Sequence, residues 1–152
     1  MCDSMGSLNW FHKSFDQLDK AELYSILSSR VDVFVVEQQC PYPELDYWDQ
    51  KATHLWASKQ GQIAAYCRLF APGVRFANAS IGRVLTTQPF RRQELGKLLI
   101  IHALEIMDTT YPVSKVEISA QDYLLDFYSA FGFVSTGKQY LEDGIPHTQM
   151  IR

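Results

Sequence analysis

The 152-residue sequence has few of the residues and patterns that mark several large classes of protein. Its three cysteines, Cys2, Cys40 and Cys67, are odd in number and lack metal-type spacing, which favours a reducing compartment over a disulfide framework. No apolar run approaches the roughly 20 residues that cross a bilayer. The first residues, MCDSMGS, contain no apolar signal segment. We therefore expect a soluble, cytoplasmic protein with no membrane partner.

Charge and motif content exclude further classes. The net charge is −3 and no long basic block occurs, so nucleic acid is not an expected partner. The four histidines are scattered, without HExxH or paired CxxC motifs, and we expect no metal site. Neither GxxxxGK[ST] nor GxGxxG is present. Without repeats or linkers, residues 1–152 suit a single domain, with an ordered core from about residue 8.

Hydrophobic periodicity and turn residues predict an α/β fold in the order strand, helix, three strands, helix, strand, helix, two strands. The predicted strands cover residues 8–15, 54–59, 62–70, 80–86, 116–120, 133–142 and 147–151. The predicted helices cover residues 19–36, 95–107 and 121–131, the first with a capping box at Asp19 and Glu22. Only strands four and five flank a crossover helix, so only they are expected to pair in parallel. The prediction is a mixed, mostly antiparallel sheet flanked by helices.

The segment QPFRRQELGK, residues 88–97, enters a helix without the Ser, Thr, Asp or Asn that usually caps one. Arg91, Arg92 and Lys97 add positive charge where the first helical amides are free, and Gly96 lets a ligand approach the backbone. Such a helix start attracts anions. Pyrophosphate binding and a merely solvated helix start are equally good interpretations of this segment taken alone.

The segment DFYSAFGF, residues 126–133, ends a helix at Gly132 and places Tyr128 among phenylalanines expected in the core. A buried tyrosine usually makes a structural hydrogen bond. A phenol, with a pKa near 10, is alternatively able to give a proton to a leaving thiolate. For Tyr128 alone, the structural interpretation is the more frequent one.

Together, in this order and with a strand between them, the two segments resemble the GNAT superfamily of N-acetyltransferases, and more closely its ElaA-type branch. The resemblance covers nearly the whole chain. It rests on VFVVEQQCPY at 33–42, IGRVLT at 81–86, SAQ at 119–121, FYSAFGF at 127–133 and LEDGIPHTQM at 141–150. It implies the acyl-CoA N-acyltransferase fold, in which parallel strands four and five splay apart. It also implies transfer of the acetyl group of acetyl-CoA to a primary amine.

The resemblance further implies where the cofactor binds. The superfamily's pyrophosphate signature (Arg or Gln, two residues, Gly, one residue, Gly or Ala) falls on residues 91–96, with Glu94 at the first glycine. A carboxylate there repels a diphosphate unless it points to solvent, so this departure bears on cofactor affinity. The backbone of Val84 and Leu85 is expected to pair with the pantetheine arm. The implied cofactor-binding residues are Val84, Leu85, Arg91, Arg92, Gln93, Glu94, Leu95, Gly96, Lys97, Gln121 and Phe127.

The catalytic residues implied are a general acid and a base. Tyr128 lies at the position of the family's general acid. A backbone amide near Val84 is expected to stabilise the oxyanion. Only about 0.1% of an alkyl amine is unprotonated near pH 7.4, so attack requires a base or a desolvated pocket. Three alternatives stay open: Glu37, His147, or water relayed by backbone carbonyls. Glu37 is equally interpreted as an exposed carboxylate, and His147 as a structural hydrogen-bonding residue.

The acceptor is expected to be a small-molecule or peptide amine. An acidic segment could attract a cationic acceptor or merely be a solvated loop, and the two interpretations are equal. Its carboxylates are those of Glu37, Glu44, Asp46 and Asp49. Two other classes of function stay open: a non-catalytic acyl-CoA-binding module whose turn has decayed at Glu94, and an interaction domain without a cofactor. Monomer and homodimer are both compatible with the sequence.

Overall fold

The computed structural model describes residues 6–152, and its elements follow the predicted order. The strands are β1 (Asn9–Ser14), β2 (Thr53–Lys59), β3 (Gln62–Phe70), β4 (Ala79–Thr86), β5 (Val116–Gln121), β6 (Val134–Glu142) and β7 (Ile145–Ile151). The α-helices are α1 (Lys20–Val31), α2 (Leu95–Thr110) and α3 (Leu125–Ser129). Among residues 6–152, no helix is long and apolar enough to span a bilayer.

The strands form a seven-stranded mixed sheet in the order β1-β2-β3-β4-β5-β7-β6. β4 and β5 pair in parallel, with Ala79 opposite Val116 and Ser80 opposite Glu117. β4 continues for six residues beyond Ser80, to Thr86. The pairs β1–β2, β5–β7 and β6–β7 are antiparallel. The predicted mixed, mostly antiparallel sheet with one parallel pair between strands four and five is confirmed.

The chain divides into two compact units, of which the first comprises residues 6–68 and 83–99. Its core consists of Ile26, Val33, Trp56, Ile63, Tyr66 and Leu85, with Leu18 and Phe34 packed against it. The predicted capping box at the start of α1 is confirmed. Asp19 accepts a hydrogen bond from the Glu22 amide, and the Glu22 carboxylate accepts one from the Asp19 amide.

The first helix differs from the prediction at its end. We expected an α-helix to Val36, but α1 ends at Val31 and the chain continues as a π-helix over Asp32–Glu37. This segment, DVFVVE, is rich in β-branched valine, which lowers α-helical propensity. The amide of Cys40 continues the wider pattern by donating to the carbonyl of Val35. Short π-helical segments occur frequently at functional sites.

The second unit comprises residues 69–82 and 100–152. The predicted helix over residues 121–131 is wrong in its extent. Gln121 is the last residue of β5, Asp122–Leu124 form a 3₁₀ turn, and α3 covers only Leu125–Ser129. The ladder to β7 holds Gln121 opposite His147, and the Asp122 carboxylate accepts a hydrogen bond from the Thr148 hydroxyl. These contacts keep the start of the segment from winding into a helix.

The two described cysteines, Cys40 and Cys67, are not joined in a disulfide. Cys40 is half-buried, and Cys67 is fully buried in β3. Burial raises the pKa of the Cys67 thiol, because an apolar environment disfavours the thiolate. Cys2 lies outside the described residues. Cys67 is therefore an unreactive core residue.

Candidate functional site

The candidate phosphate-binding turn lies between the 3₁₀ helix Gln88–Phe90 and the start of α2. Arg92 and Glu94 have left-handed backbones, with φ of 65° and 59°. Only glycine adopts this conformation without steric cost; for other residues it costs about 1–2 kcal/mol. Glu94 stands where the resembled signature has its first glycine. The turn therefore keeps a backbone conformation suited to glycine although the residue has changed.

The side chain of Glu94 is largely exposed to solvent. It is 76% exposed, and its carboxylate lies 3.4 Å from the Lys97 ammonium. The neighbouring side chain of Gln93 is held by Lys59, because its amide oxygen accepts a hydrogen bond from the Lys59 ammonium at 3.0 Å. The Glu94 carboxylate thus faces solvent, which is the condition under which it would not repel a diphosphate bound at the turn. Sequence reasoning had left the orientation of Glu94 open.

Arg91 joins the turn to two other parts of the first unit. Its Nε and Nη2 atoms donate to the carbonyl of Thr86, at 3.1 and 3.0 Å. Nη2 also donates to the carboxylate of Glu37, at 2.6 Å. Glu37 is the last residue of the π-helix. The structure therefore brings a candidate base and a candidate phosphate-binding residue into one ion pair, which sequence reasoning did not predict.

Val84 and Leu85 lie near the end of β4. The Leu85 side chain is buried in the core of the first unit, whereas Val84 is half-buried. Leu85 is thus fixed by packing. The expected pairing of the backbone of Val84 and Leu85 with the pantetheine arm does not require the Leu85 side chain, and it stays a prediction.

Three carboxylates of the acidic segment are paired inside the first unit, which corrects both interpretations of that segment. Arg30 donates to Glu44 at 2.7 Å and to Asp49 at 2.5 Å. Arg68 donates to Asp46 at 2.5 Å and to Asp49 at 2.9 Å. Glu44 and Asp49 are buried and Asp46 is half-buried, and the charge of all three carboxylates is offset by arginines. The sequence contained two signals of this pairing. Arg30 has helical spacing with apolar residues, and Arg68 lies within the apolar run IAAYCRLF.

The pKa of Asp46 reflects this pairing. Burial opposes ionisation, but the hydrogen bonds and charge of Arg68 and the charge of Arg83 outweigh it and hold the pKa below its usual range. Both Arg30 and Arg68 have raised pKa values, because the adjacent carboxylates outweigh the desolvation of the guanidinium groups. Asp46, Arg30 and Arg68 are therefore charged at neutral pH.

In the second unit, Tyr128 lies on α3 and is buried, as predicted. Its ring makes edge contacts with Phe127 and Phe133, with centroids 5.1 and 5.9 Å apart. Phe133 is buried, whereas Phe127 is half-buried against Phe131. Aromatic packing thus fixes the position of the Tyr128 ring on a short helix.

His147 and Gln121 are opposite one another in the β5–β7 ladder. His147 is buried, and its Nδ1 donates to the carbonyl of Ile145 at 2.7 Å. Its Nε2 lies 3.4 Å from the Glu142 carboxylate, and its ring stacks on Tyr140. This arrangement supports the structural interpretation of His147. Its role as a base stays a prediction.

Comparison with known proteins places these features in a family. The family model described as the acetyltransferase (GNAT) domain matches residues 22–152. The chain belongs to the GNAT family. A UPF0039 protein of Schizosaccharomyces pombe is 39% identical over 148 residues, covering 96% of this chain and 97% of the relative.

Solved structures agree with this GNAT assignment. An acyl-CoA N-acyltransferase from Pseudomonas aeruginosa has a TM-score of 0.92 and 41% identity, with 96% of this chain and 99% of that chain covered. Escherichia coli ElaA has a TM-score of 0.90 and 33% identity, with the same coverage. The predicted acyl-CoA N-acyltransferase fold and the likeness to ElaA are confirmed.

GNAT proteins are acyltransferases that take an acyl-CoA as co-substrate. The residues of the turn fit the diphosphate of such a molecule, since left-handed Arg92 and Glu94 lead into a helix start where the Glu94 carboxylate faces solvent. Among residues 6–152, no group of three or more His, Cys, Asp or Glu side chains is placed to hold a metal ion.

Proposed function

We propose that this GNAT protein is an acetyl-CoA-dependent N-acetyltransferase that moves an acetyl group to a primary amine by direct attack. The observation that carries the proposal is the turn over residues 91–97, whose glycine-type backbone at Glu94 leads into a cationic helix start with no Ser, Thr, Asp or Asn directly before it. Free amides and positive charge at a helix start are suited to a diphosphate. Acetyl-CoA, rather than another acyl-CoA, is the donor that the resemblance implies.

Arg91, Arg92 and Lys97 supply the charge of the proposed site. In the structure Arg91 is engaged by Glu37, but the side chains of this ion pair are 40% and 34% exposed. An exposed pair of this kind contributes only about 0–1 kcal/mol. A diphosphate can therefore take over the Arg91 guanidinium at small cost. Glu37 would then be released from Arg91.

The proposed reaction is an acyl transfer from a thioester to an amine. Acetyl-CoA supplies a thioester, whose carbonyl carbon forms the new C–N bond while the C–S bond breaks. The Tyr128 hydroxyl gives its proton to the departing sulfur, and the attacking nitrogen loses a proton to the base. The base is Glu37, His147 or relayed water. A backbone amide near Val84 is aimed at the developing oxyanion.

The acceptor is a small-molecule or peptide amine. The acidic segment gives no reason to prefer a cationic acceptor, because Glu44, Asp46 and Asp49 are neutralised by arginines. The proposed role of Gln121 and Phe127 in cofactor binding rests on the resemblance. A single catalytic domain, a cytoplasmic location and the choice between monomer and homodimer stay predictions from the sequence.

The test is release of free thiol from acetyl-CoA by the purified full chain, measured with a panel of polyamines, amino acids, aminoglycoside-type amines and lysine peptides. We expect amine-dependent thiol release with at least one acceptor, above the rate without amine. Thermal stabilisation by acetyl-CoA with no turnover on any amine would identify a non-catalytic acyl-CoA-binding module. An unmoved melting temperature at millimolar acetyl-CoA would contradict cofactor binding altogether.

A further inference from the structure

Arg83 has an unusual backbone conformation inside β4. Its φ is 52°, in the left-handed region that non-glycine residues rarely occupy and that is typical of bulges within strands. The preceding residue, Gly82, would take this conformation without steric cost, yet its φ is not positive. The conformational freedom of glycine therefore does not explain why the left-handed residue is at position 83. Another restraint must fix it at Arg83.

The Arg83 side chain supplies such a restraint. Its Nε donates to Oε2 of Glu44 at 2.8 Å, and its Nη2 lies 3.4 Å from Oδ2 of Asp46. The guanidinium also lies over the rings of Phe34 and Tyr42, at 5.8 and 5.9 Å. A planar guanidinium is suited to simultaneous carboxylate and aromatic contacts in a way that an ammonium is not. The head of the side chain is thus held on two sides.

The two carboxylates that hold Arg83 are themselves fixed. Arg30 donates to the same Glu44 oxygen at 2.7 Å, and the Tyr42 hydroxyl donates to the other oxygen at 2.6 Å. Arg68 donates to both oxygens of Asp46, at 2.9 and 2.5 Å. Arg30 and Arg68 are 0% and 1% exposed. Buried charged groups are costly to separate, so the anchor of Arg83 is rigid.

We propose that Arg83 is a positioning residue. Its ion pairs with Glu44 and Asp46 hold its own backbone in the left-handed conformation within β4, and so direct the backbone of Val84 and Leu85 toward the acyl-CoA. This inference rests on the proposed function, in which that backbone pairs with the pantetheine arm. The dihedral angles of one residue set the direction of the peptide groups that follow it. Loss of the anchor would misdirect the Val84 amide.

Arg83 lies close in the chain to a residue that contacts the phosphate-binding turn. Three residues later, the Thr86 carbonyl accepts two hydrogen bonds from Arg91 of the phosphate-binding turn. The diphosphate contacts of the turn depend on its own backbone, whereas the orientation of the Val84 amide depends on Arg83. We therefore expect the turnover number to be more sensitive to Arg83 than cofactor affinity is.

The experiment compares Arg83→Gly, Arg83→Ala and Arg83→Lys with Lys13→Ala, which removes a 2.7 Å ion pair to Glu22 elsewhere in the same unit. The readouts are kcat and KM for acetyl-CoA with the best acceptor of the wild type, and the melting temperature. We expect Arg83→Ala to lower kcat at least tenfold, because an oxyanion donor contributes about 10²–10³ in kcat. Arg83→Gly should lose less, because glycine adopts a positive φ without steric cost. KM should change less than about threefold. Arg83→Lys should be intermediate, and Lys13→Ala should keep the wild-type kcat.

Arg83→Ala is the decisive variant, because alanine removes the anchor but keeps the steric cost of a left-handed backbone. Wild-type kcat in Arg83→Ala would overturn the inference and leave the proposed function standing. An equal fall of kcat in Lys13→Ala would identify general destabilisation and overturn it as well. If Arg83→Gly and Arg83→Ala do not fold, wild-type kcat in a folded Arg83→Lys overturns it. A wild type that neither turns over nor is stabilised by acetyl-CoA would overturn the proposed function and this inference together.

Discussion

Glu37 and Arg91 form an ion pair in which a carboxylate oxygen lies 2.6 Å from a guanidinium nitrogen. Two residues assigned to separate roles, base and phosphate contact, therefore neutralise one another. Because both side chains are partly exposed, the pair contributes little to folding. Its main effect is on the two proposed functions. On the proposed function, binding of a diphosphate to Arg91 would release the Glu37 carboxylate.

Replacing Glu37 by Gln should release Arg91. We expect acetyl-CoA to bind about two- to tenfold more tightly, as measured by titration calorimetry, because a competing carboxylate is removed. The melting temperature should stay within about 4 °C of the wild type. If Glu37 is the base, kcat should fall at least tenfold. Glu105→Gln, which removes an exposed carboxylate of α2, controls for net charge; weaker binding in Glu37→Gln would show that Glu37 orients Arg91 for the cofactor.

Replacing Gly96 by Val should abolish stabilisation by acetyl-CoA. A β-branched side chain at the helix start would occupy the space that a phosphate needs to approach the amides. For the wild type at 100 times Kd we expect about 2.7 kcal/mol of stabilisation, or roughly 5–10 °C in the melting temperature. Glu105→Val lowers helix propensity at an exposed position of α2 and should keep the full rise. A full rise in Gly96→Val would place the diphosphate elsewhere.

Replacing Tyr128 by Phe should lower turnover while leaving cofactor affinity nearly unchanged. Phenylalanine keeps the aromatic packing against Phe127 and Phe133, so the fold is retained. Loss of a general acid typically costs about 10²–10⁴ in rate. Tyr123→Phe is the matched control, because Tyr123 lies in the same unit and is 76% exposed. Equal kcat for Tyr128→Phe and the wild type would remove Tyr128 from its role.

Asp46 should make the protein acid-sensitive. Its pKa is lower in the folded protein than the ordinary value near 3.9, so its contribution to stability is complete above about pH 4 and is lost as the pH falls further. Urea unfolding of the wild type from pH 6 to 2 should show this loss. Asp46→Asn should be less stable at pH 7 by roughly 1–3 kcal/mol and should depend less on pH. Asp16→Asn, an exposed control, should keep the wild-type slope.

Local patterns in the sequence predicted the parts of the fold that local interactions determine. The Asp19–Glu22 capping box, the element order and the burial of Tyr128 all follow from residues close in sequence. Crossover geometry alone gave the parallel pairing of β4 with β5. The resemblance placed the candidate turn, and the structure adds that Glu94 keeps a left-handed backbone there.

Features that depend on distant contacts were not predictable. Arg30 and Arg68 are buried because Asp49 and its neighbours, far away in sequence, neutralise them. The hydrogen bond from Thr148 to Asp122 shortens a helix whose periodicity looked continuous. Periodicity records which face of a segment is apolar. It does not record which charged groups another segment will bring to it.

The most direct test of the central claim is a crystal structure of the full chain bound to coenzyme A. We expect the diphosphate within about 3 Å of backbone amides of residues 92–97, with Arg91 turned from Glu37 to a phosphate oxygen. A diphosphate bound elsewhere, or no coenzyme A at saturating concentration, would contradict the account.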